Sequence, residues 1–133
     1  MSGKAFHWAY EVLPPNMPIP DVSDITRQLL QIARKIDATV LVNRENQVIR
    51  IRSVQGRPAM QIRRYNRALP EVRVHIRVRG NRNKETEFFA AANLEPRDWE
   101  KKKTEGSHRY IGDPRTLVAC AERALGTVLH DAF

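Results

Sequence analysis

The sequence predicts an α+β domain in which two amphipathic helices cover one face of a four- or five-stranded antiparallel meander sheet. Two segments with helical apolar spacing, one near each end of the chain, flank a central region of short runs that alternate apolar and basic residues. The connections between these runs are too short for parallel crossovers. An antiparallel sheet can leave one face open to solvent, and here the residues expected on that face are mostly basic.

The clearest strand covers residues 72–79, which read V-R-V-H-I-R-V-R. Side chains alternate between the two faces of a strand, so its aliphatic residues lie on one face and its arginines and histidine on the other. Shorter runs at 48–52 and 59–64 alternate in the same way, and residues 39–43 are apolar and β-branched. We therefore expect four strands, followed by a fifth if the next segment is also extended.

Two helices are expected from their start signals and their apolar spacing. Ser23 or Asp21 can cap the first, whose apolar residues recur at helical spacing as far as Ile36. Asp113 can cap the second, with Pro114 at its first position and a long apolar stripe after it. Cys120 lies near that stripe, where a small thiol is usually buried.

The segment at residues 84–92 fits two structures. It alternates as a fifth strand would, whereas Asn83 can cap a helix and the alanines of the segment favour one. A hairpin connection from the preceding strand favours the strand. Next, Glu95-Pro96 predicts the start of a short helix that carries Trp99.

Residues 1–20 are expected to form an N-terminal arm ahead of a single α+β domain at residues 21–133. Phe6, Trp8 and Tyr10 alternate, as in an edge strand or an anchor on the domain, and the prolines that follow favour a stiff, extended segment. Because Trp8 would forfeit burial by staying in water, we expect it to pack on the domain or on a second copy. The second arrangement would make a homodimer that exchanges arms.

Composition excludes several classes of protein. The chain of 133 residues has one cysteine, no long apolar run and no hydrophobic segment of the signal-peptide kind near its first residue. These features predict no membrane partner and a reducing, cytoplasmic location. The four histidines are scattered, and there is no glycine-rich phosphate loop or G-x-S-x-G motif, so we expect no metal and no cofactor.

The positive charge is concentrated in the middle of the chain. The net charge is +8, and residues 43–83 hold eleven arginines against two glutamates. A charge of this size predicts an anionic partner. Arginine, unlike lysine, presents a planar guanidinium group that binds phosphate through paired hydrogen bonds, so the composition favours DNA or RNA.

The basic residues of the predicted strands should share the open face of the sheet. Like charges on neighbouring strands destabilise a sheet, and an anionic ligand would offset that cost. No aromatic residue is expected on this face to stack with bases, so we expect phosphate contacts, little sequence specificity and a strong dependence on salt. The predicted nucleic-acid-binding residues are Arg50, Arg52, Arg63, Arg64, Arg67, Arg73, His75, Arg77 and Arg79.

Two alternative functions remain open, although the sequence favours binding over catalysis. A small metal-independent ribonuclease or toxin needs an acid, a base and a cation, and His75 between Arg73 and Arg77, or His108 beside Arg109, offers such groups. A helix followed by four antiparallel strands also resembles small bacterial ribonuclease toxins in architecture. The other alternative is an adaptor or inhibitor that docks on an acidic protein or on a nucleoprotein complex.

Overall fold

The chain forms an open antiparallel sheet with α-helices, seen in a computed structural model that describes residues 10–15, 21–53, 56–76, 84–102 and 106–130. The strands within these residues are β1 (Glu11–Val12), β2 (Thr39–Asn43), β3 (Val48–Arg52), β4 (Pro58–Arg63), β5 (Glu71–His75), β6 (Trp99–Lys102) and β7 (Ser107–Tyr110). The helices are α1 (Asp24–Lys35), α2 (Lys84–Ala91) and α3 (Leu117–His130). The strand order is β1-β2-β3-β4-β5-β7-β6, and every pairing is antiparallel.

The α+β class and the antiparallel sheet are confirmed, whereas the expected numbers of strands and helices were too small. The described residues form seven strands and three α-helices instead of four or five strands and two helices. The additional strands are short: β1 has two residues, and β6 and β7 have four each. Their polar sequences, W-E-K-K in β6 and S-H-R-Y in β7, give little apolar alternation to predict them.

The strand favoured for residues 84–92 is a helix. Phe88 and Phe89 are 0% and 6% exposed, and two adjacent residues can bury together on a helix but point to opposite faces of a strand. Ala92 is also buried, so the apolar positions follow helical spacing. The ring of Phe89 packs edge-on against the ring of His108, with centroids 5.5 Å apart, and this contact holds α2 against β7.

The short helix expected after Glu95-Pro96 is only a single 3-10 turn, Pro96–Asp98, and β6 follows it directly. Trp99 lies opposite Tyr110 in the β6–β7 register, and their rings pack edge to face with centroids 5.1 Å apart. Trp99 is buried by this pairing. Burial of a large aromatic side chain across the strand pair therefore outweighs the local helix signal.

Both predicted helix caps are confirmed. The Ser23 hydroxyl oxygen accepts a hydrogen bond from the Thr26 amide at 3.3 Å, and the Thr26 hydroxyl donates to the Tyr65 carbonyl at 2.8 Å. The start of α1 is thus tied to the loop after β4. The Asp113 carboxylate accepts from the Arg115 amide at 2.9 Å and opens a 3-10 turn that leads into α3.

One side of the sheet, the helix face, forms the hydrophobic core together with the helices. α1 packs against β2, α3 packs against β4 and β5, and α2 packs against α3. Cys120 on α3 is buried in this core. Among the described residues, no helix combines the length and the apolar character needed to cross a bilayer. The core residues contributed by the strands are Val40, Val42, Ile49, Ile51, Met60, Ile62, Val72 and Val74.

The described part of the N-terminal segment is attached to the sheet. Glu11 and Val12 pair with β2, the Leu13 amide donates to the Val40 carbonyl at 2.8 Å, and the Leu13 side chain is buried. Phe6 and Trp8 lie outside the described residues. The packing of Trp8 and the homodimer that exchanges arms therefore stay predictions.

Candidate nucleic-acid interface

The other side of the sheet, the outer face, carries a row of polar residues that crosses the strands. Cross-strand partners in register share a face, so the row can be followed from one strand to the next. Arg50 of β3 is paired with Gln61 of β4, Gln61 with Arg73 of β5, Arg73 with Arg109 of β7, and Arg109 with Glu100 of β6. The other residues of the outer face used below are Leu41, Arg52, Arg63, Glu71, His75 and Lys102.

Arg73 lies at the centre of the outer face and is only 9% exposed. β5 is an interior strand, flanked by β4 and β7, so long side chains surround Arg73 on both sides. Its Nε donates to the Glu71 carboxylate at 2.8 Å, and an Arg109 terminal nitrogen lies 3.6 Å from the other oxygen of that carboxylate. This predicted site residue is therefore part of an internal ion-pair cluster.

A second carboxylate extends this cluster toward the sheet edge. Glu100 accepts hydrogen bonds from Arg109 and from Lys102, each at 2.8 Å. Hydrogen bonds from Lys102 and Arg109 lower the pKa of the Glu100 carboxyl, and the bond to Glu100 raises the pKa of the Arg109 guanidinium. Arg109 was expected only as a cation beside His108 and not on this face, because it lies outside the arginine-dense segment. We call Glu71, Arg73, Glu100, Lys102 and Arg109 the paired half of the outer face.

The other half of the outer face contains a cavity of about 380 Å³, which we call the arginine cavity. The pairing of β3 with β4 is irregular between Ile51 and Arg52, and irregularities of this kind redirect side chains. None of the described lining residues is acidic. They are Arg50, Ile51, Arg52, Pro58, Met60, Gln61, Arg63 and His75.

Neighbouring groups orient the side chains of the arginine cavity. The Arg63 Nε donates to the Gln61 side-chain oxygen at 3.1 Å and lies 4.0 Å from the Glu71 carboxylate. The Arg52 Nε is buried and has no hydrogen-bond partner within the described part of the chain. The Arg50 guanidinium carbon lies over the Tyr10 ring, 4.2 Å from its centroid.

Tyr10 brings an aromatic ring to a face that was expected to have none. Val12 is paired with Leu41, which shares the outer face with Arg50, and Tyr10 lies two residues before Val12. Residues two apart in an extended segment point to the same side. The ring reaches the face from the N-terminal segment, so alternation within the central strands could not reveal it.

Of the other predicted arginines, Arg64 and Arg67 do not line the arginine cavity. Arg64 has a φ of 56° and turns the chain away from β4, so that Arg64 and Arg67 are exposed in the following loop. They line a separate cavity of about 310 Å³ at the end of the sheet. Arg77 and Arg79 lie outside the described residues.

The two candidate catalytic histidines lie on opposite faces of the sheet. His75 lines the arginine cavity, whereas His108 is paired with Val74 and lies on the helix face. His108 is 3% exposed, and its Nε2 is 3.8 Å from a Glu85 carboxylate oxygen. Burial lowers the pKa of His108 more than the neighbouring Glu85 raises it, so the imidazole is held in its neutral form. The two histidines cannot act as one acid–base pair.

Nothing in the described residues points to a metal site, since no three His, Cys, Asp or Glu side chains are grouped to hold an ion. Comparison with protein-family models, with curated proteins and with solved structures finds no match for this chain. Support for a function therefore comes from the geometry and charge of the outer face.

Proposed function

We propose that this protein binds DNA or RNA by contacting phosphates through the arginines of the outer face, with little sequence specificity. The observation that carries the proposal is the arginine cavity, where Arg50, Arg52 and Arg63 line one concave site. Guanidinium groups bind phosphate oxygens through paired N–H donors, and a concave site concentrates their field. Contacts of this kind give affinity without reading the base sequence.

The mutual repulsion of neighbouring guanidinium groups favours an anionic ligand in the arginine cavity. In the paired half, Glu71 and Glu100 compensate the neighbouring cations at distances down to 2.8 Å. The described residues that line the arginine cavity contribute three guanidinium groups and no carboxylate, and the Glu71 carboxylate is 4.0 Å from the Arg63 Nε, farther than from Arg73. A phosphate group bound there would offset the mutual repulsion of the guanidinium groups.

The test is a double substitution, Arg52→Gln with Arg63→Gln, assayed by anisotropy of labelled oligonucleotides. We expect affinity at physiological salt to fall about tenfold or more, since each substitution removes a charge-assisted hydrogen bond to phosphate. The slope of log affinity against log salt should become shallower by about 0.7 to 0.9 for each phosphate that is no longer neutralised.

The matched control removes two arginines from the helices, Arg27→Gln with Arg123→Gln. This pair lowers the net charge by the same amount as the test pair. Both residues are exposed and lie on helices, so the outer face is unchanged. Its affinity should stay within about twofold of the unchanged protein. Equal losses in the two double variants, with folding intact by circular dichroism, would show that only net charge matters and would refute a site at the arginine cavity.

The same samples separate the alternative functions. Labelled RNA that is cleaved in the presence of a chelator would support the ribonuclease, and His75→Ala would then test the histidine of the cavity. A protein partner that is retained from nuclease-treated lysate, without affinity for oligonucleotides, would support the adaptor or inhibitor. Binding without cleavage supports the proposed function.

A further inference from the structure

The volume of the arginine cavity bears on the form of the nucleic acid. At about 380 Å³ it is in the size range of small-molecule sites, and one phosphate group would fill only a small part of it. In a duplex, the bases are stacked inside and phosphates line the outside. Only a nucleotide that is free of the duplex stack can enter a cavity of this size as a whole.

The lining of the cavity is mixed in a way that suits a whole nucleotide. Arg52 and Arg63 supply positive charge, Gln61 supplies an amide, and the exposed Pro58 supplies apolar surface. The hydrogen bond of 3.1 Å from Arg63 to the Gln61 oxygen holds the amide and the guanidinium side by side. Phosphate contact alone would require the cations but not the apolar surface, whereas a base needs both polar and apolar neighbours.

The Arg50–Tyr10 pair supplies a flat surface at the wall of the cavity. Arg50 both lines the cavity and lies over the Tyr10 ring at 4.2 Å. Stacking against an aromatic ring limits the movement of a guanidinium group. Unpaired bases stack on aromatic rings and on arginine planes, and such stacking tolerates any base.

We propose that the ligand is single-stranded nucleic acid, and that one unpaired nucleotide enters the arginine cavity. Its base stacks against the Arg50–Tyr10 pair, and its phosphate is bound by Arg52 and Arg63. This inference rests on the proposed function and narrows it from nucleic acid in general to the unpaired form. Stacking without reading of the base edges keeps sequence specificity low.

The experiment compares single-stranded and duplex oligonucleotides of about ten nucleotides, in DNA and in RNA, with 2-aminopurine placed in the strand. We expect single strands to bind at least about tenfold more tightly than the duplex, because the duplex would first have to release a nucleotide. The 2-aminopurine fluorescence should be quenched on binding, as stacking on the Arg50–Tyr10 pair requires.

Arg50→Lys and Tyr10→Leu isolate the stacking contribution. Arg50→Lys keeps the positive charge but removes the planar group, so it should weaken single-strand binding about tenfold and duplex binding by a clearly smaller factor. Tyr10→Leu removes the aromatic ring behind Arg50 and should likewise reduce the quenching of 2-aminopurine on binding. The Arg52→Gln and Arg63→Gln pair should weaken binding to both forms, since it removes charge.

The outcomes distinguish this inference from the proposed function. Equal or tighter binding of duplex, or unchanged single-strand binding and quenching in folded Arg50→Lys and Tyr10→Leu proteins, would overturn the single-strand inference and leave phosphate binding intact. Absence of binding to every oligonucleotide would overturn both. Thermal unfolding of each variant shows whether a loss of binding comes from a loss of fold.

Discussion

The two halves of the outer face use the same side chain in different surroundings. In the paired half, Arg73 is 2.8 Å from Glu71, and Arg109 is 2.8 Å from Glu100, so the guanidinium groups are internal partners of carboxylates. In the arginine cavity, Arg50 and Arg52 lie beside polar and apolar neighbours, and none of the described lining residues is acidic. Both halves belong to one sheet and are joined through the pairing of β4 with β5.

The difference shows that the number of arginines does not by itself define a binding surface. Position decides which arginine meets a carboxylate: Glu71 and Arg73 are two residues apart on one strand, and Glu100 and Arg109 are cross-strand partners. The short strands β6 and β7 bring Glu100 and Arg109 to the face and thereby enclose Arg73. The described residues that line the arginine cavity come from β3, β4 and β5 and not from β6 or β7.

The largest expected effect comes from breaking the paired half. Glu71→Gln removes the carboxylate that Arg73 contacts at 2.8 Å in surroundings where the Arg73 side chain is only 11% exposed. We expect the free energy of unfolding to fall by about 2 kcal/mol, because a buried charge loses its compensation. Urea denaturation measures this, with the exposed Glu122→Gln on α3 as the matched control. A loss no larger than that of the control would show that the paired half does not stabilise the sheet.

The second prediction concerns the helix face, where buried His108 should make the stability of the protein depend on pH. Because the pKa of buried His108 lies below the ordinary value of about 6.5, the unfolded chain binds its proton more readily than the folded one. The free energy of unfolding should therefore be undiminished by this group above the ordinary histidine pKa and should fall as the pH falls below that pKa. Two charged groups face this ring: Glu85 raises the pKa of His108, and Lys101 lowers it.

His108→Gln should flatten the dependence of unfolding free energy on pH in that window, measured by urea denaturation at a series of pH values. Other groups titrate alike in both proteins, so their contribution cancels in the difference. Parallel curves for the two proteins would mean that His108 does not couple folding to pH.

A smaller effect is expected from giving the paired half an excess of positive charge. Glu100→Gln removes the carboxylate shared by Arg109 and Lys102 and should raise affinity for single strands about threefold at low salt. Glu122→Gln on α3 changes net charge equally and serves as the control in anisotropy titrations. An equal gain in both variants would show a general charge effect and not a surface continuous with the arginine cavity.

The smallest effect is expected in the loop after β4. Arg64→Gln with Arg67→Gln removes two exposed charges that lie outside the arginine cavity. Affinity should fall by less than about twofold, since distant exposed charges are screened by salt. A loss as large as that of the Arg52 and Arg63 pair would extend the binding site to the end of the sheet.

Local signals were sufficient for much of the fold. Asp113, and Ser23 or Asp21, were predicted as caps because short polar side chains favour the position before an apolar periodic segment, and the structure selects Ser23. The strands β3, β4 and β5 could be predicted from alternation, since one face is buried and the other is not. Residues 84–92 could not, because their apolar positions satisfy both a period of two and a helical period, and tertiary packing of Phe89 decides between them.

The candidate site was harder to predict because it depends on pairing between distant segments. Alternation groups the arginines at 50, 52 and 63 on one face, and the structure places all three in the lining of one cavity. Burial of Arg73 follows from its long-range pairing with β7, which alternation does not encode. The contact of Tyr10 with Arg50 likewise joins residues forty positions apart.

The two-residue strand β1 has a consequence for association of the protein with itself. It pairs with the edge of β2 and so covers its backbone hydrogen-bonding groups. The β2 sequence, Thr-Val-Leu-Val-Asn, is of the kind that readily adds strands from other chains when its edge is open. The ion pair of 2.6 Å between Glu11 and Arg44 fixes this cover, and lysines occupy the opposite margin at β6. We expect proteolytic cleavage between Leu13 and Ser23 to loosen this cover and open the β2 edge to strands of other chains, which light scattering of the cleaved protein would detect.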